Sequence, residues 1–189
     1  MHQHLALLII LLFSLTQCST TTAPAASGTP SIPLVGTFTS NCYDSGDDYT
    51  KNTIVATATR ITKTATYYSE SDCSGAPIFK LEQVFDVSYG TADGSGVYPL
   101  DATVVSYSTT PLTSAYATVF NGITFCGLTT WAVDTSQSVL GLTCSGTLNP
   151  SAGAVALDII KITGSSFNFS EEASISTRPT SLSTTITYS

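Results

Sequence analysis

From Pro77 to Tyr89 the chain reads Pro-Ile-Phe-Lys-Leu-Glu-Gln-Val-Phe-Asp-Val-Ser-Tyr. Phe79, Leu81, Phe85, Val87 and Tyr89 share one face with Gln83, and Lys80, Glu82, Asp86 and Ser88 share the other. A period of two belongs to a strand with one buried and one wet face, because successive Cβ atoms point to opposite sides of a sheet. No segment of useful length carries the helical period. Further extended segments are expected at Val35–Cys42, Asn52–Arg60, Thr62–Glu70, Leu100–Thr109 and Ser114–Phe125, the last with a break at Asn121-Gly122. Val155–Thr163, Phe167–Phe169 and Ser181–Tyr188 complete the set, separated by turn chemistry such as Gly-Thr-Ala-Asp-Gly-Ser-Gly at 90–96 and Gly164-Ser165. Thr, Val, Ile, Tyr and Phe suit such segments, since bulk at Cβ packs well on a pleated surface. The reading is an all-β protein with eight to ten antiparallel strands: a single up-and-down β-barrel, or alternatively a two-sheet β-sandwich.

The chain has 189 residues, of which 42% are hydrophobic and 10% charged, enough apolar content for one domain with a real core. Its net charge is −7, with Lys51, Arg60, Lys63, Lys80, Lys161 and Arg178 as the only basic side chains. Nucleic acid is therefore excluded as a partner, because binding it requires clustered cations to replace phosphate counterions. The only histidines are His2 and His4. Both precede the apolar run Leu5–Phe13, so a processed chain would lack imidazole as base or ligand. No nucleophile–base pair can be argued, and a non-enzymatic protein without cofactor is expected.

Leu5–Phe13 is nine apolar residues without a charge, too short to span a bilayer and suited to the core of a signal peptide. Leu15-Thr16-Gln17-Cys18 follows and resembles a bacterial lipobox, where cleavage precedes an acylated cysteine; Gln17 departs from the usual small residue. A competing small-x-small cleavage site is Ala23-Pro24-Ala25. On the lipobox reading residues 1–17 are leader, Cys18 is a lipid anchor, 18–33 are a flexible Ser/Thr/Ala/Pro tether, and 34–189 form the barrel domain. The protein would then be exported and held at the outer membrane or cell envelope. Ser19 after the cysteine favours the outer membrane by resemblance to lipoprotein sorting.

Setting Cys18 aside leaves Cys42, Cys73, Cys126 and Cys144, an even set in an oxidising compartment. A hairpin centred on Thr135 would put Cys126 opposite Cys144 and Trp131 opposite Val139, near enough for a disulfide. In a meander the first and third strands end at one rim, which pairs Cys42 with Cys73. These spacings match no zinc motif, and no metal site is assigned.

Leu34-Val35-Gly36-Thr37-Phe38-Thr39-Ser40-Asn41-Cys42 resembles the opening strand of lipocalin-like barrels, with Phe38 where those carry tryptophan. Tyr67-Tyr68-Ser69-Glu70-Ser71-Asp72-Cys73-Ser74-Gly75-Ala76-Pro77-Ile78-Phe79 resembles the tyrosine–cysteine–proline stretch of the adenomatosis polyposis coli down-regulated Wnt-inhibitor domain, itself lipocalin-like. A similar layout occurs in bacterial lipoproteins, and the resemblance covers residues 34–90. It implies a barrel sealed at one end by an arginine over the opening-strand aromatic, here Arg178 over Phe38. Phe79, Phe85, Tyr89, Tyr107, Tyr116, Phe120 and Trp131 are expected on inward faces, either filling the core or lining a pocket. A small apolar or lipid-like ligand is the favoured partner; an envelope or surface protein bound by a filled barrel is the alternative.

Overall fold

The computed structural model describes residues 34–46, 48–170, 173–174 and 176–189. The leader, Cys18 and the tether lie outside them. The chain forms β1 (Gly36–Thr39), β2 (Tyr43–Asp44), β3 (Tyr49–Ala56), β4 (Arg60–Tyr68), β5 (Phe79–Tyr89) and β6 (Val97–Pro111). An excursion follows with helix α1 (Ser114–Gly122), a 3-10 turn (Phe125–Gly127), β7 (Gln137–Ser138), β8 (Thr143–Cys144) and β9 (Thr147–Leu148). The chain then returns through β10 (Val155–Thr163) and β11 (Ser166–Phe169).

Nine strands form one antiparallel sheet, and seven of them lie on a single path, β1-β3-β4-β5-β6-β10-β11. This path curls into a nearly closed barrel rather than two packed sheets. The C-terminus bridges its ends: Tyr188 pairs with Ser40 beside β1 and with Phe167 of β11. The Ser189 and Thr39 backbones also exchange hydrogen bonds of 3.1 and 2.9 Å. The final strand expected at Ser181–Tyr188 is thus reduced to its last residues. Upstream, Ser183 Oγ accepts from the Thr185 and Ile186 amides, and Asn168 Nδ2 donates to the Ile186 carbonyl. Local side-chain bonds of this kind replace a ladder.

Alternation holds along each barrel strand. Thr50, Asn52, Ile54 and Ala56 are buried along β3, Ile61, Ala65 and Tyr67 along β4, and Phe79, Val87 and Tyr89 along β5. The strand expected at Asn52–Arg60 is β3, which ends at Ala56 because Thr57 Oγ1 accepts from the Arg60 amide at 3.1 Å and turns the chain. On β6 the inward phase changes from even to odd at a bulge: Val84 faces Ser106 but Phe85 faces Val104. Val105 is the extra residue, and its side chain is left exposed. Gly164, at φ +62°, supplies the left-handed residue of the tight β10–β11 turn.

The excursion between β6 and β10 overturns two expectations. The segment expected to be extended at Ser114–Phe125 is helical over Ser114–Gly122. Thr113 caps the helix, its Oγ1 accepting from the Tyr116 amide, and the helix buries Ala117 and Phe120. Cys126 and Cys144 are disulfide-bonded, as are Cys42 and Cys73. No hairpin links Cys126 to Cys144, however, and Trp131 does not face Val139 across a ladder. Cys126 sits in the 3-10 turn, and β7 pairs with β6. Asn121 organises this segment by taking the Trp131 amide at 2.8 Å and donating to its carbonyl at 2.9 Å. Trp131 then packs on Phe120 and Phe125, with ring centroids 5.3 and 5.7 Å away.

Two apolar clusters result. One lines the barrel interior around Ile54, Leu100, Ile160 and Phe167. The other unites Tyr67 and Phe79 at the strand ends with Phe120, Trp131, Val139 and the Cys126–Cys144 pair. The excursion is therefore a cap on one end of the barrel.

Candidate functional site

The barrel cluster leaves a hollow inside the barrel. A cavity of about 320 Å³ is lined by side chains from β3, β4, β5, β6, β10 and β11. Most of its wall is apolar: Ile54, Ile61, Phe85, Val87, Leu100 and Val104 among others. This volume falls at the small end of the range for ligand pockets. Leu148 lines the cavity and is also 54% exposed, which marks the mouth beside the cap.

Of the seven aromatic residues expected on inward faces, Phe85 and Tyr107 reach this cavity. The other five do not line it. Phe79 stacks on Tyr67 at 4.1 Å, and Tyr116, Phe120 and Trp131 belong with it to the cap cluster. Tyr89 is part of the barrel cluster. Aromatic bulk at the strand ends was needed to seal the cap, because the excursion places its own rings there.

The wall also carries polar groups. Lys63 is half-buried and lines the cavity. Burial pulls its amine below the usual lysine range, opposed by the nearby negative charge of Asp158. Asp158, on β10, also lines the cavity. Its Oδ1 accepts from the Ile159 amide at 2.7 Å, the Ser170 amide at 3.2 Å and the Ser170 hydroxyl. Burial pushes this carboxyl up, against those hydrogen bonds. Tyr107 has its phenol pushed up to about 12 by burial alone. Gln83 completes the polar set. Lys63 was legible in principle: it interrupts the inward face formed by Ile61, Ala65 and Tyr67.

Phe38 and Arg178 are not brought together. Phe38 packs within the barrel cluster, edge-on to Phe167 at 4.9 Å. Arg178 donates to the Leu100 and Asp158 carbonyls at 2.7 and 2.6 Å and pairs with the Asp101 carboxylate. Leu100 and Ala102 face the cavity, so Asp101 between them points outward. Arg178 therefore fastens the β6–β10 seam from outside, whereas Phe38 lies within.

Among the described residues no group of three or more His, Cys, Asp or Glu side chains could hold a metal ion. No family model matches the chain, and no curated protein matches it.

Proposed function

We propose that this chain is an exported lipoprotein, anchored at the cell envelope through Cys18, whose barrel binds a small apolar or lipid-like molecule without chemical turnover. The observation that carries the ligand reading is the cavity of about 320 Å³ with its largely apolar wall. A closed core of this size would normally pack to near-crystalline density, so a void of this volume forfeits dispersion contacts unless a ligand restores them. The anchor rests on the lipobox-like Leu15-Thr16-Gln17-Cys18 and the uncharged tether after it. The alternative, a module bound by another protein, is favoured by Val119 and Ile123 of the cap, which are 50% and 53% exposed.

Filling the cavity separates the two. Ala102→Leu and Ala156→Leu add bulk to the cavity wall. Each is expected to raise stability by about 0.5–2 kcal/mol, as cavity-filling changes commonly do, and to abolish binding of a fluorescent polyene fatty-acid probe. Unchanged probe binding in both variants, or no binding by the parent, would defeat the ligand reading. Palmitate incorporation that disappears in Cys18→Ala tests the anchor.

A further inference from the structure

Lys63, Gln83 and Tyr107 form one unbroken row across three adjacent strands. Lys63 is the direct partner of Gln83 across β4 and β5, and Gln83 is the partner of Tyr107 across β5 and β6. All three line the cavity. Side chains directly opposed on one face have Cβ atoms about 4.5–5.5 Å apart, so three such side chains can converge on a single group. The row is rich in donors: an ammonium, a carboxamide and a phenol.

The side chains of Lys63, Gln83 and Tyr107 make no hydrogen bond to the described residues. The ion pairs there are Arg60–Asp86 and Arg178–Asp101, neither of which involves Lys63. Polar groups withdrawn from bulk water are normally bonded, and an ammonium half-buried against an apolar wall gains from a partner of opposite charge. Asp158 shares the cavity, but it forms no ion pair with Lys63, and its Oδ1 is taken by Ile159 and Ser170. The negative charge of Asp158 acts on Lys63 from across the cavity without a direct contact, which leaves the ammonium hydrogens open to a bound group. Beyond the row the wall turns apolar, with Ile54, Phe85 and Leu100.

We infer that the occupant is an amphiphile whose carboxylate sits on Lys63, Gln83 and Tyr107 while its hydrocarbon lies on the apolar wall. This deepens the ligand reading above and rests on it. At roughly 30 Å³ per water-sized group, the cavity volume suits a chain of decanoate's size.

The test is calorimetric titration of the purified protein with decanoate, decanol and decylamine. The parent is expected to bind decanoate at least about tenfold more tightly than decanol, the scale of a hydrogen bond to a charged group, and decylamine least. In Lys63→Met the ratio of decanoate to decanol affinity should fall to near one, while Lys63→Arg should keep it well above one. Gln83→Leu and Tyr107→Phe should each lower the ratio severalfold, which preserves the test if Lys63→Met does not fold. Asp158→Asn removes the competing carboxylate and should strengthen decanoate binding. A parent that prefers decanol or decylamine, or a ratio unmoved by any of these variants, overturns the carboxylate assignment and leaves the apolar-ligand reading standing. A parent that binds none of the probes overturns both.

Discussion

The ring of Tyr188 lies flat on that of Phe167, with centroids 4.8 Å apart and planes 7° from parallel, at the seam where the C-terminus joins β11 to β1. The Tyr188 hydroxyl accepts from Asn52 Nδ2 at 3.0 Å, and Asn52 is completely buried. One side chain, Tyr188, thus combines closure of the sheet, burial in the barrel cluster and an acceptor for the inward Asn52 Nδ2. Tyr188→Ala should cost about 3–5 kcal/mol, as for other large buried rings. Tyr188→Phe keeps the stacking and loses one hydrogen bond, for about 1 kcal/mol. Denaturant unfolding of both variants checks this. Equal losses in the two would mean that the hydroxyl, not the ring, secures the seam.

The cap depends on Asn121. Its amide satisfies both the N–H and the C=O of Trp131, so Asn121→Ala leaves two partly buried backbone groups without partners, at about 1–3 kcal/mol. Asn121→Asp keeps the acceptor and loses the donor, and should fall between parent and Ala. The intrinsic fluorescence of Trp131, the single tryptophan, reports whether the cap loosens. A parent-like spectrum and midpoint in Asn121→Ala would remove the residue from this role.

Asp158 sets a pH dependence whose sign is fixed by its environment. Burial is the main cause of its raised pKa, so the folded state holds its proton at pH values where the unfolded state has released it. Its contribution is therefore fully present below the ordinary carboxylate range and is lost as pH rises through the folded value. Lys63 runs the other way, because burial lowers its pKa: its contribution is present above the ordinary lysine range and lost as pH falls through the folded value. Asp158→Asn, which keeps an acceptor for Ser170 and Ile159, should be more stable than the parent near neutrality. The difference should vanish as pH falls below the unfolded carboxylate value. Urea midpoints across that range decide it, and a difference that grows toward acid would contradict the assigned cause.

The barrel strands were legible because one period governed them. β10 falls where the sequence placed it, at Val155–Thr163, and the inward set Phe79, Leu81, Phe85, Val87 and Tyr89 on β5, with Gln83 among them, is the one read from the sequence. Helix α1 was not legible, since Thr118-Val119-Phe120 has the branched and aromatic character of a strand. Its cap at Thr113 and the buried pair Ala117 and Phe120 decide the conformation instead. The Cys126–Cys144 bond was inferred from a hairpin that does not exist, because two cysteines can meet in a folded cap as well as across a ladder. The cavity was visible only in part. Aromatic bulk drew attention to Tyr116, Phe120 and Trp131, which face the cap, whereas the polar row needs a register that links Lys63 to Gln83 and Gln83 to Tyr107. The β6 bulge, which brings Tyr107 inward after Val104, has no sequence signature of its own.

Native mass spectrometry of the protein purified from cells without detergent reads the occupant of the barrel. A folded species carrying one small molecule is expected, with the molecule released when the protein is unfolded and reduced or absent in Ala102→Leu. Folded protein at the bare polypeptide mass, with no uptake when decanoate is added, would contradict a ligand-binding barrel.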